Sequence, residues 1–240
     1  MKKIGAGNTA EVFEYAEGKI CKLYFSYFDK ATAHREFENT KLINELGIPS
    51  PKVFEEVSID GRNGFVEEYL LGSTILNQLL QGNNTEELLV KMANLHENIL
   101  SHHTTKCASY KDTLRSFLIG KLPENDNLYA EIENLPDGDN VCHGDFHPDN
   151  VWQSKDGKIL VIDFMNICYG PKLYDIARSY FLMTQGELPK GMSEEEKIEL
   201  QKMRTLLGNQ YLSLMKVTEA DIEKYFNIVK ACRAFELQQV

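Results

Sequence analysis

Apolar and polar residues alternate through the first 70 residues in a pattern that predicts strands. The segments EVFEYA and KICKLYF alternate on either side of a Glu-Gly pair, which is typical of a β-hairpin. The segments PSPKVFEEVSID and GFVEEYLLG, separated by GRNG, predict two more strands joined by a tight turn. Between these two pairs, ATAHREFENTKLINELG has apolar residues at helical spacing and ends on a glycine. The pattern therefore predicts a small antiparallel β lobe with one helix over residues 1–70.

Helical signals dominate the rest of the chain. Thr85 begins one predicted helix, and Ser193 and Thr218 begin two others with the spacing of a capping box. Between these helices, NVCHGDFHPDNVW, SKDGK and ILVIDF predict a short β island. We therefore expect a larger, mainly helical lobe over residues 71–240, and an α+β, bilobal fold overall.

Composition narrows the class of protein. The 240 residues include 26 basic and 36 acidic side chains, a formal net charge of −10. This acidity argues against nucleic acid as the main partner. The five cysteines are odd in number and form no CxxC pair, which favours reduced thiols in a cytoplasmic protein. The sequence shows no apolar run long enough to span a membrane and no signal-peptide core, so we expect no membrane association.

The segment HGDFHPDNV carries the strongest chemical signal. It is followed by ILVIDF, in which Asp163 lies twelve residues after Val151, so Asp145, Asn150 and Asp163 are short oxygen-bearing side chains beside apolar β segments. One carboxylate can orient or deprotonate a hydroxyl group, while a carboxylate and a carboxamide oxygen can hold Mg²⁺. This combination is typical of phosphoryl transfer, where positioning and charge stabilisation supply most of the catalysis.

HGDFHPDN followed by VIDF resembles the aminoglycoside phosphotransferase and choline-kinase-like family, which has the protein-kinase-like fold. The resemblance covers nearly the whole chain. It implies that Asp145 is the catalytic aspartate, that Asn150 and Asp163 bind Mg²⁺, and that His143 is a structural residue of the catalytic loop. It further implies ATP, or alternatively GTP, as phosphate donor. The acceptor would be a small-molecule alcohol such as an amino alcohol, a sugar or an aminoglycoside.

The N-terminal segment GAGNTAEVF predicts a phosphate-binding turn. Gly5 and Gly7 permit a tight turn whose backbone amides can approach phosphates, and the segment resembles the family's equivalent of the Gly-rich loop. Lys22 matches the family's lysine that meets the nucleotide phosphates. Its partner is Glu36 or Glu38, which lie about 200° apart on a helical wheel, so only one can face the lysine. The surrounding REF…L…LGIPSPKV pattern resembles the family around Glu36, which we therefore choose.

Two further segments match the family pattern. GFVEEYLLG resembles the interlobe linker, whose backbone at Glu68 and Leu70 would read the purine base. Glu67 departs from the family, which usually has a larger apolar residue there, so the sequence leaves the choice between ATP and GTP open. In GPKLYDIARSYFL, Asp175 is expected to brace the catalytic loop by hydrogen bonds.

The segment from Leu122 to Ser154 contains no Lys or Arg, which predicts a cationic acceptor or, alternatively, a solvated acidic loop. Its eight acids are Glu124, Asp126, Glu131, Glu133, Asp137, Asp139, Asp145 and Asp149.

Two other functions are compatible with the sequence. A catalytically silent nucleotide-binding module would keep the fold without turnover. A metallohydrolase would bind a transition metal through His143 and His147, since imidazole and carboxylate suit zinc. The absence of a second His-x-His motif disfavours this alternative.

Overall fold

The computed structural model describes residues 1–188 and 191–237, and the chain forms two compact units. The first unit comprises Met1–Ser73 and Trp152–Asn166, and the second comprises Thr74–Val151 and the described residues from Ile167 onward. The strands are β1 (Lys3–Ala6), β2 (Ala10–Ala16), β3 (Lys19–Tyr24), β4 (Val53–Ile59), β5 (Arg62–Glu68), β6 (Gly72–Thr74), β7 (Ala108–Ser109), β8 (Asn140–Cys142), β9 (Val151–Ser154), β10 (Ile159–Val161) and β11 (Cys168–Gly170). The helices are α1 (Lys30–Glu45), α2 (Ile75–Leu80), α3 (Thr85–Leu100), α4 (Tyr110–Leu118), α5 (Asn127–Glu133), α6 (Lys172–Gln185), α7 (Glu194–Leu214) and α8 (Glu219–Glu236).

The first unit is built on a five-stranded antiparallel sheet in the order β1-β2-β3-β5-β4. Both predicted hairpins and the intervening helix α1 are confirmed. Helix α1 packs against β4 and β5, and Phe37 lies against Phe65 with ring centroids 6.2 Å apart. Phe65 belongs to a buried apolar cluster with Ala10, Tyr24 and Ala33, which anchors the helix to the sheet.

The turn between β4 and β5 differs from the prediction. The chain reverses at Asp60 and Gly61, which both have positive φ, whereas the following Arg62–Gly64 lies within β5. Gly64 is required for packing and not for the turn, because a Cβ atom there would lie 2.0 Å from the Lys22 carbonyl oxygen. Sequence inspection alone does not separate these two uses of glycine.

The β island predicted between the helices is present, and part of it belongs to the first unit. Strands β9 and β10 form a three-stranded sheet with β6, in the order β10-β9-β6. The pairing attaches Trp152–Asn166 to Met1–Ser73, so the compact units differ from the predicted ranges 1–70 and 71–240. The close approach is possible because residue 72 is glycine, where a Cβ atom would lie 2.1 Å from the Gln153 carbonyl oxygen.

The second unit is mainly helical and is built around α6. Its residues Tyr174–Thr184 are all buried, and the helix packs against α7 and α8. The predicted capping boxes at Ser193 and Thr218 are confirmed as the starts of α7 and α8. A small sheet in the order β7-β11-β8 lies beside these helices and leads through β8 into the HGDFHPDN loop. No helix in the described ranges has the length and apolar character needed to cross a bilayer.

Candidate active site

Lys22 lies between two carboxylates in the first unit. Its side chain projects from β3, and its Nζ atom lies 2.7 Å from Glu36 Oε1 on α1. The same Nζ atom lies 3.7 Å from Asp163 Oδ1. The Lys22 and Glu36 side chains are 12% and 2% exposed, whereas Asp163 is 41% exposed. The cluster therefore has a buried ion pair on one side and a solvent-accessible carboxylate on the other.

The structure decides between the two candidate glutamates. Glu36 is buried and accepts hydrogen bonds from Lys22 and from the Tyr24 hydroxyl group. Glu38 is exposed and lies 3.9 Å from Lys41 on the same helix. Glu36 is thus the partner of Lys22, as the sequence pattern around it indicated.

Helix α1 also fixes the backbone next to Asp163. The Phe164 N–H donates to Glu36 Oε1 at 3.3 Å, and Asn39 Nδ2 donates to the Phe164 carbonyl at 2.8 Å. Asp163 itself has a φ of 67°, a left-handed conformation that aspartate tolerates better than most residues. These contacts hold the Asp163 carboxylate beside Lys22, and a strained backbone of this kind is common at functional sites.

The charges in this cluster perturb one another. Burial acts to lower the pKa of the Lys22 ammonium, but Asp163, Glu36 and Glu67 outweigh it and raise the pKa above its ordinary value. Burial raises the pKa of Glu36 to about 7, against the opposing effect of Lys22. Burial likewise raises the pKa of Glu67 to about 7. Three acidic groups thus act on one ammonium, two of them within 4 Å of it, and the local excess of acidic groups suits a cation.

The predicted glycine turn connects β1 and β2. The Gly7 N–H donates to the Ala10 carbonyl at 2.9 Å, and Gly5 pairs with Val12. A Cβ atom at Gly7 would meet no atom within 4 Å, and one at Gly5 would make only ordinary contacts with Val12. Neither glycine has a positive φ. The protein's own packing therefore does not require glycine at either position, and a role for the turn in phosphate binding stays a prediction.

The predicted linker follows β5. The Glu68 N–H donates to the Lys52 carbonyl at 2.8 Å, and the Tyr69 N–H donates to the Gly18 carbonyl at 2.9 Å. These two N–H groups are therefore engaged by the sheet. Recognition of a purine base by the backbone at Glu68 and Leu70 stays a prediction.

In the second unit, the HGDFHPDN loop brings Asp145 and Asn150 together. Asn150 Nδ2 donates to the Asp145 carbonyl at 2.9 Å and lies 3.2 Å from Asp145 Oδ2. Burial acts to raise the pKa of Asp145, but His147, Arg178 and His143 outweigh it and hold the pKa well below its ordinary value. Asp145 is therefore a carboxylate at neutral pH, and it can accept a proton or a hydrogen bond from a hydroxyl group.

Asp175 braces this loop, as the sequence predicts. Its Oδ2 atom accepts the His143 N–H at 2.7 Å, and its Oδ1 atom accepts the Gly144 N–H at 2.8 Å. At the next peptide, between Gly144 and Asp145, the buried Arg178 donates from Nε to the Gly144 carbonyl. The backbone immediately before Asp145 is therefore held by one carboxylate and one guanidinium.

The two histidines of the loop take internal roles. His143 is fully buried, and its Nδ1 atom accepts the Asp145 N–H at 3.2 Å. His147 Nδ1 accepts the Asp149 N–H at 3.3 Å. Among the residues that the structure describes, no group of three or more His, Cys, Asp or Glu side chains is arranged to hold a metal ion.

The acidic segment before the loop is partly neutralised by local partners. Glu133 pairs with Arg115 at 2.6 Å, and Asp137 pairs with Lys111 at 2.7 Å. Asp126 caps α5 by accepting the Leu128 N–H. Asp139 Oδ1 also lies 2.8 Å from His103 Nδ1. Four of the six acids that precede the loop thus have structural partners, which favours the interpretation of this segment as an acidic loop.

Sequence inspection missed Asn39 and Arg178, which both hold backbone at the candidate site. Their signal was a polar residue on the apolar face of a helix: Asn39 lies three residues after Glu36, and Arg178 three residues after Asp175. Spacing of three places each pair on one helix face. Such a residue must find a partner when buried, and here the partner is a backbone group.

Comparisons with known proteins identify the family and the fold. The model of the phosphotransferase enzyme family matches residues 1–197. No match was found among curated protein sequences.

Solved structures of aminoglycoside phosphotransferases have the same fold. A type VIII aminoglycoside-3'-phosphotransferase is 19% identical with a TM-score of 0.59, over 96% of this chain and 91% of that one. The aminoglycoside phosphotransferase APH(3'')-Id from Streptomyces rimosus is 14% identical with a TM-score of 0.61, over 96% and 92%. Its complex with ADP and streptomycin matches with the same TM-score and identity, over 92% and 90%.

Proposed function

The chain belongs to the phosphotransferase enzyme family, and from this premise we propose that it transfers the γ-phosphoryl group of ATP or GTP to a hydroxyl group of a small molecule. The observation that carries the proposal is the Lys22 ammonium, held between the buried Glu36 and the accessible Asp163. A fixed ammonium beside an exposed carboxylate is the arrangement that binds a polyphosphate through its charge and through a cation.

The nucleotide phosphates are assigned to the first unit. Glu36 fixes the position of Lys22, whose raised pKa keeps it charged at any pH near neutral. Its charge would stabilise the negative charge on the transferring phosphoryl group. The Gly5–Gly7 turn would cover the phosphates, since its backbone can approach a ligand closely and would help exclude water.

The residues present fit Mg²⁺. The ion prefers oxygen ligands, and Asp163 offers an accessible carboxylate. The amide nitrogen of Asn150 is engaged by Asp145, so its amide oxygen is the atom suited to a cation. We assign both residues to Mg²⁺, which would neutralise charge on the nucleotide phosphates when bound.

Asp145 is assigned to the acceptor. Because it is ionised and its backbone is fixed by Asp175 and Arg178, it can orient the acceptor hydroxyl group and receive its proton. Accurate placement contributes most of the rate enhancement in such reactions.

The comparisons indicate the class of acceptor only in broad terms. The related Streptomyces rimosus enzyme is described with streptomycin, and another structural neighbour with hygromycin B. We propose an acceptor that carries an alcohol group, with amino alcohols, sugars and aminoglycosides as the candidates. Function depends on the site and not on the fold, so the shared fold does not choose among them.

The proposal is tested by nucleoside-diphosphate release from Mg·ATP and from Mg·GTP across a panel of these three classes. We expect release that depends on an acceptor, and we expect Asp145→Asn and Asp163→Asn each to lose at least about 100-fold in kcat. Asp149→Asn is the matched control, because it makes the same chemical change at an exposed position of the same loop.

Nucleotide binding is followed separately by the shift in melting temperature. A shift with Mg·nucleotide but no turnover with any acceptor would favour the silent binding module. Loss of activity in Asp149→Asn equal to that in Asp145→Asn would contradict the role of Asp145. Full turnover by Asp163→Asn would contradict the proposed Mg²⁺ ligand.

A further inference from the structure

A chain of buried hydrogen bonds connects three helices of the second unit. His96 on α3 is fully buried, and its Nδ1 atom lies 2.6 Å from the Tyr211 hydroxyl on α7. Its Nε2 atom lies 2.9 Å from Asp175 Oδ2 on α6. The proposed chemistry uses neither His96 nor Tyr211, although both are completely removed from solvent. A buried imidazole with a partner on each ring nitrogen therefore needs a separate explanation.

The partners fix which ring nitrogen carries hydrogen. Burial acts to raise the pKa of Asp175, but His96, His143 and the Gly144 N–H outweigh it and lower the pKa, so the carboxylate is ionised. An ionised carboxylate only accepts hydrogen bonds, so His96 must donate from Nε2. In the neutral imidazole Nδ1 is then an acceptor, and the Tyr211 hydroxyl donates to it. This arrangement satisfies all three groups at once.

His96 meets the catalytic loop in two places. Its Nε2 atom hydrogen-bonds to Asp175, and the Asp175 carboxylate accepts the His143 and Gly144 N–H groups. Its ring also stacks directly on Phe146, with centroids 4.0 Å apart and planes 18° apart. Asp145 lies between Gly144 and Phe146 in the chain. The residues on both sides of the proposed catalytic aspartate thus depend on one imidazole.

We propose that His96 is a positioning residue of the phosphotransferase, which orients Asp175 and Phe146 and so sets the place of Asp145. The inference rests on the proposed function, because Asp145 must be the group that meets the acceptor. The essential feature is the hydrogen bond that His96 Nε2 donates to Asp175. The hydrogen bond from the Tyr211 hydroxyl group to His96 Nδ1 selects the tautomer that carries hydrogen on Nε2.

Two amide substitutions separate this role from simple packing. His96→Gln extends its amide to about the place of Nε2, where its N–H can donate to Asp175. His96→Asn places the same amide one methylene shorter, near Nδ1, where it reaches Tyr211 and not Asp175. We expect kcat to fall about 100-fold in His96→Asn, and to be restored to within about 5-fold of wild type in His96→Gln. The nucleotide KM should change much less than kcat in both, since neither substitution touches the Lys22 cluster and only Asn150 links the loop to the proposed Mg²⁺ site.

A control variant removes packing on the same helix. Ile99 is buried on α3 and contributes no hydrogen bond from its side chain, so Ile99→Ala lowers stability by cavity formation. Kinetics are measured well below the lowest melting temperature of the set. Ile99→Ala should keep kcat within about 3-fold of wild type even where its stability loss exceeds that of His96→Asn.

Backbone hydrogen exchange gives a readout that needs no turnover. The His143 and Gly144 N–H groups donate to Asp175, so their exchange should accelerate at least about 10-fold in His96→Asn. The amides of α3 should change no more than they do in Ile99→Ala. If the wild type proves inactive but these two amides respond, the positioning of the loop stands and the proposed function fails. Equal kcat in the Asn and Gln variants, or unchanged exchange of both amides in His96→Asn, would overturn the inference.

Discussion

Glu67 supports a prediction about how stability depends on pH. It lies on β5 opposite Ile20 of β3, and Lys22 lies opposite Phe65. Directly opposite residues of antiparallel strands share a face, as do residues two apart on one strand. Glu67 and Lys22 therefore project from the same face of the sheet. Burial raises the pKa of Glu67 to about 7. Lys22 acts to lower this pKa, but Glu36 and Asp163 oppose the effect of Lys22.

The sign of the effect follows from this direction. A carboxyl group whose pKa is raised in the folded state resists ionisation there, while the unfolded chain ionises at its ordinary value of 4.5. The folded state thus loses stability as pH rises from about 4.5 to about 7, and the loss remains at higher pH. At 1.36 kcal/mol for each pH unit the full penalty is about 3 kcal/mol, which partial exposure reduces to about 2 kcal/mol.

Glu67→Gln removes this penalty at nearly constant volume. We expect the free energy of unfolding of the variant to exceed that of the wild type by about 2 kcal/mol at pH 8, and by less than about 1 kcal/mol at pH 5. Urea denaturation at the two pH values measures both differences. Glu38→Gln is the control, because Glu38 is an exposed glutamate of the same unit. If the free energy of unfolding of Glu67→Gln differs from that of the wild type by the same amount at pH 5 and at pH 8, the reasoning is refuted.

Two further predictions concern glycines in the first unit. Gly64→Ala should lower the free energy of unfolding by more than about 3 kcal/mol, because its Cβ atom would lie 2.0 Å from the Lys22 carbonyl oxygen. Thermal denaturation tests this prediction. A loss of stability below about 1 kcal/mol would contradict it. Gly7→Ala should leave stability within about 1 kcal/mol of wild type but raise the nucleotide KM at least about 5-fold, since only a ligand would meet the new methyl group. An unchanged KM in Gly7→Ala would remove the turn from the phosphate site.

Features that depend on neighbouring residues could be predicted from the sequence. The hairpin around Glu17 and Gly18 and the capping boxes at Ser193 and Thr218 are each set by a few adjacent side chains, and the structure confirms them. The resemblance carried by HGDFHPDN and VIDF identified the family, which the family model confirms. The chemical roles of Lys22 and Asp145 stay predictions until the variants are measured.

The sequence was ambiguous where one residue type serves two purposes. Gly64 belongs to a Gly-rich stretch that is typical of a turn, but its glycine is needed for the approach of the neighbouring strand. The acids before the catalytic loop suggested a surface for a cation, but Glu133 and Asp137 have basic partners on α4. In both cases the partner comes from another element, which local patterns do not reveal.

The sequence by itself determined the elements, the family and the loop that carries Asp145, because each depends on contiguous residues or on a motif. Only the tertiary structure decided which buried polar groups meet. It selected Glu36 over Glu38 by packing one face of α1 against the sheet. It also joined His96 to Tyr211 across 115 positions of the chain. A buried polar side chain must find a partner, but its identity depends on how distant helices pack, and that is settled only when the whole core forms.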